Sequence, residues 1–92
     1  MTPPPHPYRT TPLFDEHTLP KALREAHNTK PGVWGVVRVV EGELRYVVTG
    51  PGIEQILGPG RPGLIEPGEL HFVEPIGPMR MQVEFYDQLP DL

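Results

Sequence analysis

Val33-Trp34-Gly35-Val36-Val37-Arg38-Val39-Val40 and Glu43-Leu44-Arg45-Tyr46-Val47-Val48-Thr49, separated by Glu41-Gly42, decide the fold. Both runs are rich in β-branched and aromatic residues, which suit a pleated, half-buried strand. A two-residue Glu-Gly connection between them predicts a β-hairpin. Its register pairs Val40 with Glu43, Val39 with Leu44, Arg38 with Arg45 and Val37 with Tyr46. Val37, Val39, Leu44, Tyr46 and Val48 then share one apolar face. Arg38, Glu43, Arg45 and Val47 share the other. Two arginines placed side by side repel, so an acid such as Glu43 or an anionic partner is expected beside them.

Downstream, short apolar runs alternate with turn residues. Gly50-Pro51-Gly52 precedes a strand at 53–57, and Gly58-Pro59-Gly60-Arg61-Pro62-Gly63 excludes regular structure. Leu64-Ile65-Glu66 is a brief strand stopped by Pro67-Gly68. Residues 70–74 form the next strand, stopped by Pro75-Ile76-Gly77-Pro78, and 79–86 the last. About six short strands with frequent turns predict a sandwich or barrel. Upstream, residues 1–12 read as a Pro-rich arm. Residues 15–26 carry the one helical signal, two turns at most, with Thr18 as a cap and Pro20 in the first turn.

The composition agrees. The chain has 92 residues, 10 glycines and 14 prolines, yet Leu, Ile, Val and Phe supply 25 positions, too many for a disordered chain. A chain of this size buries only about 60–65% of its unfolded surface. With no cysteine, no disulfide can supplement so thin a core, and a metal or a second subunit is the natural addition. A homodimer is expected on that ground. Thiolate zinc sites and thiol chemistry are excluded. The net charge of −4 argues against nucleic-acid binding. No apolar run reaches the ~20 residues of a membrane helix, and the N-terminus has no signal pattern. The expectation is a soluble, cytoplasmic protein.

Of four histidines, His6 and His17 fall in polar, exposed-looking segments. His27 opens His27-Asn28-Thr29-Lys30-Pro31-Gly32 just before the first long strand, and His71 lies inside a strand after Pro67-Gly68-Glu69-Leu70. Beside two strands, the pair is placed to meet at a barrel mouth. Lys30 reads as a loop cation able to bind an anion there. Trp34 and Tyr46 read as core or subunit contacts, and Glu66, Glu69 and Glu74 as a solvated acidic rim. No Ser-His-Asp arrangement, phosphate-cradling glycine motif or nucleotide-binding strand–Gly loop is present.

Val39-Val40-Glu41-Gly42-Glu43-Leu44 resembles the first-motif turn of cupins, and Pro67-Gly68-Glu69-Leu70-His71 resembles their second motif with its final metal histidine. Over roughly residues 10–87 the chain resembles the small cupin-like domain that precedes the methyltransferase domain of some tellurite-resistance TehB proteins. That domain also stands alone in YeaR-like proteins. The matching pieces include His27-Asn28-Thr29-Lys30, Gly32-Val33-Trp34, Ile65-Glu66-Pro67, His71-Phe72-Val73-Glu74 and Val83-Glu84-Phe85-Tyr86. The resemblance implies an all-β, cupin-like jelly-roll barrel over residues 13–88, with a short helical turn near its start, an arm at 1–12 and a tail at 89–92.

The resemblance also implies a metal site, though a reduced one. Thr29 stands where a second histidine would fall, and Gly35 where the cupin glutamate would. His27, His71 and Glu84 remain as ligands, a set suited to Zn, Fe, Mn or Ni with open positions. Thr29, Lys30 and Tyr86 would bind the ligand. Strand parity puts Met81, Val83 and Phe85 on the core face and Glu84 with Gln82 and Tyr86 on the other. A barrel with apolar residues both inside and outside would let Glu84 face inward. The function implied is a metal-binding, small-molecule-binding or sensing domain linked to tellurite or oxyanion stress. Methyl transfer belongs to the domain that follows it in those proteins. The alternatives are a small metalloenzyme of dioxygenase or isomerase type, and a metal-free interaction module.

Overall fold

The computed structural model of the chain describes residues 5–91. Two long strands form its spine, β3 (Trp34–Val48) and β6 (His71–Tyr86), which run antiparallel over nearly their whole length. Short strands cover parts of their outer edges. β4 (Ile53–Leu57) and β5 (Gly63–Ile65) pair with β3, and β1 (Arg9–Thr10) and β2 (Phe14–Asp15) pair with β6. One helical turn, α1 (Lys21–Arg24), lies between β2 and β3.

The expected hairpin at Glu41-Gly42 does not form. The two valine-rich runs are halves of one strand, and each half pairs with β6 rather than with the other. Gly42 adopts φ +75 and marks an irregularity, not a reversal. The partner strand is irregular at the same level. Glu41 lies opposite Arg80 and Glu43 opposite Ile76, so β6 carries extra residues there. Such bulges bend both strands together. The segments at 70–74 and 79–86 are accordingly one strand, passing through Pro75 and Pro78. Those prolines fall between the His27 and β2 pairings, a stretch of β6 where no second neighbour asks for an N–H.

The jelly-roll barrel is also overturned. The strand order is β1-β6-β3-β4, with β2 on β6 and β5 on β3. No pairing joins β4 back to β1 among the described residues, so the sheet is open and antiparallel. Closure needs a second neighbour for every strand. Here β4 has β3 alone, and its exposed outer edge ends the sheet.

One face of the bent sheet carries the core. Val37, Val39, Leu44, Tyr46 and Val48 of β3 meet Val73, Met79, Met81 and Val83 of β6, with Leu19, Leu57 and Ile65 closing around them. Those five β3 positions are the ones that alternation assigned inward. The predicted face survives because the irregularity around Gly42 shifts the alternation by one residue, from odd positions before the bend to even positions after it. The opposing arginines are separated. Arg38 Nε donates to Glu84 Oε1 at 3.0 Å, while Arg45 donates to Glu54 at 2.7 Å and Glu74 at 2.9 Å.

Candidate functional site

His27 and His71 form an antiparallel bridge at the start of β6. Each backbone N–H donates to the other's carbonyl at 2.9 Å. A mutually hydrogen-bonded pair projects its side chains to one face, and the imidazole centroids lie 4.2 Å apart, edge to face. Each ring is aimed by its own chain. His27 Nδ1 bonds Glu25 O and His71 Nδ1 bonds Glu69 O, both at 2.8 Å. A carbonyl oxygen can only accept, so both Nδ1 atoms carry the proton and each neutral ring keeps its lone pair on Nε2. His71 also stacks on Tyr46, with centroids 5.9 Å apart, and the Tyr46 hydroxyl donates to Leu64 O at 2.8 Å. Burial holds the His71 imidazole below its ordinary 6.5, and the neighbouring His27 pushes the same way, against the opposing bond to Glu69 O. Burial likewise raises the Tyr46 phenol far above its ordinary value. At neutral pH, His71 is an uncharged base with one free nitrogen.

The pair lines a cleft of about 310 Å³. Val37, Ile65, Val73, Met81, Val83 and Phe85 form its apolar floor. Tyr8, Arg9 and Thr11 of the arm make one wall, and the loop carrying Asn28, Thr29 and Lys30 makes another. The arm is fixed to β6 by Tyr8 N–H to Phe85 O and Thr11 N–H to Val83 O, both 2.9 Å. Thr29 shapes its loop by donating to Val33 O at 2.8 Å and accepting from Gly68 N at 3.4 Å. Among the described residues no Asp or Glu lines the cleft. Its two cations are also distinctive. Every other Lys or Arg among the described residues has a carboxylate or carbonyl partner, while Arg9 and Lys30 have none.

Of the residues expected to act, His27, His71, Thr29 and Lys30 come together here. Glu84 and Tyr86 do not. They sit on the opposite sheet face, where Glu84 accepts from Arg38 and from the Tyr86 hydroxyl, each at 3.0 Å. The alternation of β6 turns Met81 and Val83 into the core, so Glu84 must point away. Among the described residues no three His, Cys, Asp or Glu side chains converge on a common point. The three-ligand metal set therefore does not assemble, and two imidazoles alone do not fit the resident metal that it implied.

Comparison with known proteins matches residues 9–83 to the TehB-like domain. The chain belongs to the TehB-like domain family. Two curated relatives, each named a probable S-adenosyl-L-methionine-dependent methyltransferase TehB, come from strains of Haemophilus influenzae. They are 38% and 36% identical over 39 residues, 42% of this chain and 14% of theirs. The crystal structure of TehB from Haemophilus influenzae superposes with a TM-score of 0.81 at 30% identity, covering 94% of this chain and 32% of that one. This TehB-like domain thus spans about a third of the solved relative. A crystal structure of an Escherichia coli K12 protein shares the fold, with a TM-score of 0.80 at 22% identity, covering 94% of this chain and 84% of that one.

Sequence reasoning missed Tyr8, Arg9 and Thr11 in this TehB-like domain. A Pro-rich arm gives no periodicity, and only its pairing with β6 brings it to the cleft. One signal for the histidines was present and unused. Both lie in Glu-x-His, Glu25-Ala26-His27 and Glu69-Leu70-His71, and in both the Glu carbonyl fixes the ring.

Proposed function

We propose that this chain is a small-molecule-binding module serving tellurite or oxyanion resistance, and that its cleft binds an anion beside His27 and His71. One observation carries the reading. In a chain of net charge −4, the cleft holds two basic side chains that have no partner among the described residues, two histidines and, among those residues, no carboxylate. Arg9 and Lys30 draw an anion to the mouth. One Nε2 then accepts a hydrogen bond from a protonated ligand oxygen, a bond that a singly protonated oxyanion or an acid can make. The uncharged His71 costs little to keep in the apolar wall.

Calorimetric titration with tellurite and, separately, with butyrate tests this. At least one of them is expected to bind one-to-one, and an Arg9→Ala/Lys30→Ala double variant to bind about tenfold more weakly, the loss of charge-assisted contacts. No saturable heat with either anion, or an unweakened variant, contradicts the reading. The free Nε2 pair favours a second reading, a metal centre completed by the ligand itself. About one equivalent of Zn, Fe, Mn or Ni in untagged protein, lost in both His27→Ala and His71→Ala, would put that reading first.

A further inference from the structure

The cleft is graded. Its cations, Arg9 and Lys30, are exposed at the rim, whereas the floor residues Val37, Ile65, Val73 and Met81 are each at most 3% exposed. The histidines stand between, His27 half-buried and His71 buried. A bare oxyanion matches only the rim. To reach the floor it would have to leave water for an apolar surface, which is costly for any charge without a close partner. The volume argues the same way. About 310 Å³ is room for roughly ten waters at their liquid volume. A tellurite ion of four atoms leaves most of that empty, and an apolar hollow gains nothing from holding water.

Resting on the anion-binding reading above, we propose that the occupant is a small amphipathic organic acid. Its carboxylate sits between Arg9 and Lys30, and its hydrocarbon body lies against Leu23, Val33 and Phe85 above the floor, past the His27–His71 pair. The head uses the two cations that have no carboxylate of their own. The body covers the apolar lining of the cleft that stays accessible above the closed floor, Tyr8, Leu23, Val33 and Phe85. The histidines accept from a hydroxyl on the acid where it carries one, and otherwise pack edge-on against the chain. A ligand of this kind explains why an acidic protein keeps an apolar hollow under a basic rim, which neither an inorganic ion nor a neutral hydrocarbon requires.

The test compares butyrate, hexanoate, octanoate, hexanol and tellurite by calorimetry on the whole chain. Affinity is expected to rise roughly fourfold per methylene from butyrate to octanoate, the gain from burying each group. Hexanol should bind at least tenfold more weakly than hexanoate, and tellurite more weakly than octanoate. Val33→Trp, which fills the cleft from its exposed side, should weaken octanoate about tenfold and leave butyrate within twofold. Tellurite binding tighter than a flat carboxylate series overturns the organic acid and leaves the anion-binding reading standing. Hexanol binding as well as hexanoate overturns the role of the cations. Absence of binding by every probe overturns both readings.

Discussion

His71 is the one buried polar or charged side chain among the described residues, at 1% exposure. Its environment gives it a thermodynamic signature. Burial lowers its folded-state pKa beneath the 6.5 of an exposed imidazole. Between those two values the unfolded chain binds more protons than the folded one, so stability falls as the pH drops. The contribution is complete above pH 6.5 and is lost as the pH falls through the folded-state value. Urea denaturation between pH 8 and 5 should therefore show a midpoint that declines below about pH 6.5. His71→Gln, less stable at neutral pH, should show a smaller decline over the same range. Equal declines in both proteins would mean that His71 is not the buried neutral base described here.

At the scale of elements, the bend at Gly42 decides the architecture. A Cβ built there would lie 2.2 Å from the carbonyl oxygen of Pro78 and 3.0 Å from Met79 Cα, both backbone. With φ at +75 besides, Gly42→Ala should cost about 3 kcal/mol of unfolding free energy. Gly60→Ala is the control. It has a similar φ of +81 but nothing within 4 Å of the added methyl, and should cost only about 1 kcal/mol. Equal costs by urea denaturation would show that backbone strain, and not the close approach to β6, sets the requirement at Gly42.

The same position explains how far the sequence was legible. Period-two alternation identified the inward residues of β3 and β6, because side-chain parity is local. Glu41-Gly42 looked like a hairpin because a glycine with positive φ serves a tight turn and a bulge equally. Only the distant partner strand distinguishes them. The meeting of His27 and His71 was legible from the two flanking strands. Glu84 was misplaced where the resemblance outweighed parity, since its neighbours Val83 and Phe85 already faced the core.

Across the whole molecule, the open sheet divides its two faces by charge. On the outer face the ion pairs are complete, with Arg45 held between Glu54 and Glu74 and Arg38 on Glu84. On the inner face Arg9 and Lys30 stand over an apolar hollow with no carboxylate among the described residues. A ligand drawn by charge and held by apolar burial should therefore bind on one face alone. Heteronuclear NMR of labelled protein titrated with hexanoate tests this most directly, reading imidazole nitrogens, amides and methyl groups together. Saturable shifts are predicted at the Nε2 atoms of His27 and His71 and at Val37, Val73 and Val83, while the outer face around Arg45 and Ile56 stays unchanged. Imidazole nitrogens that do not respond, or shifts gathered on the outer face, would contradict the cleft as the binding site.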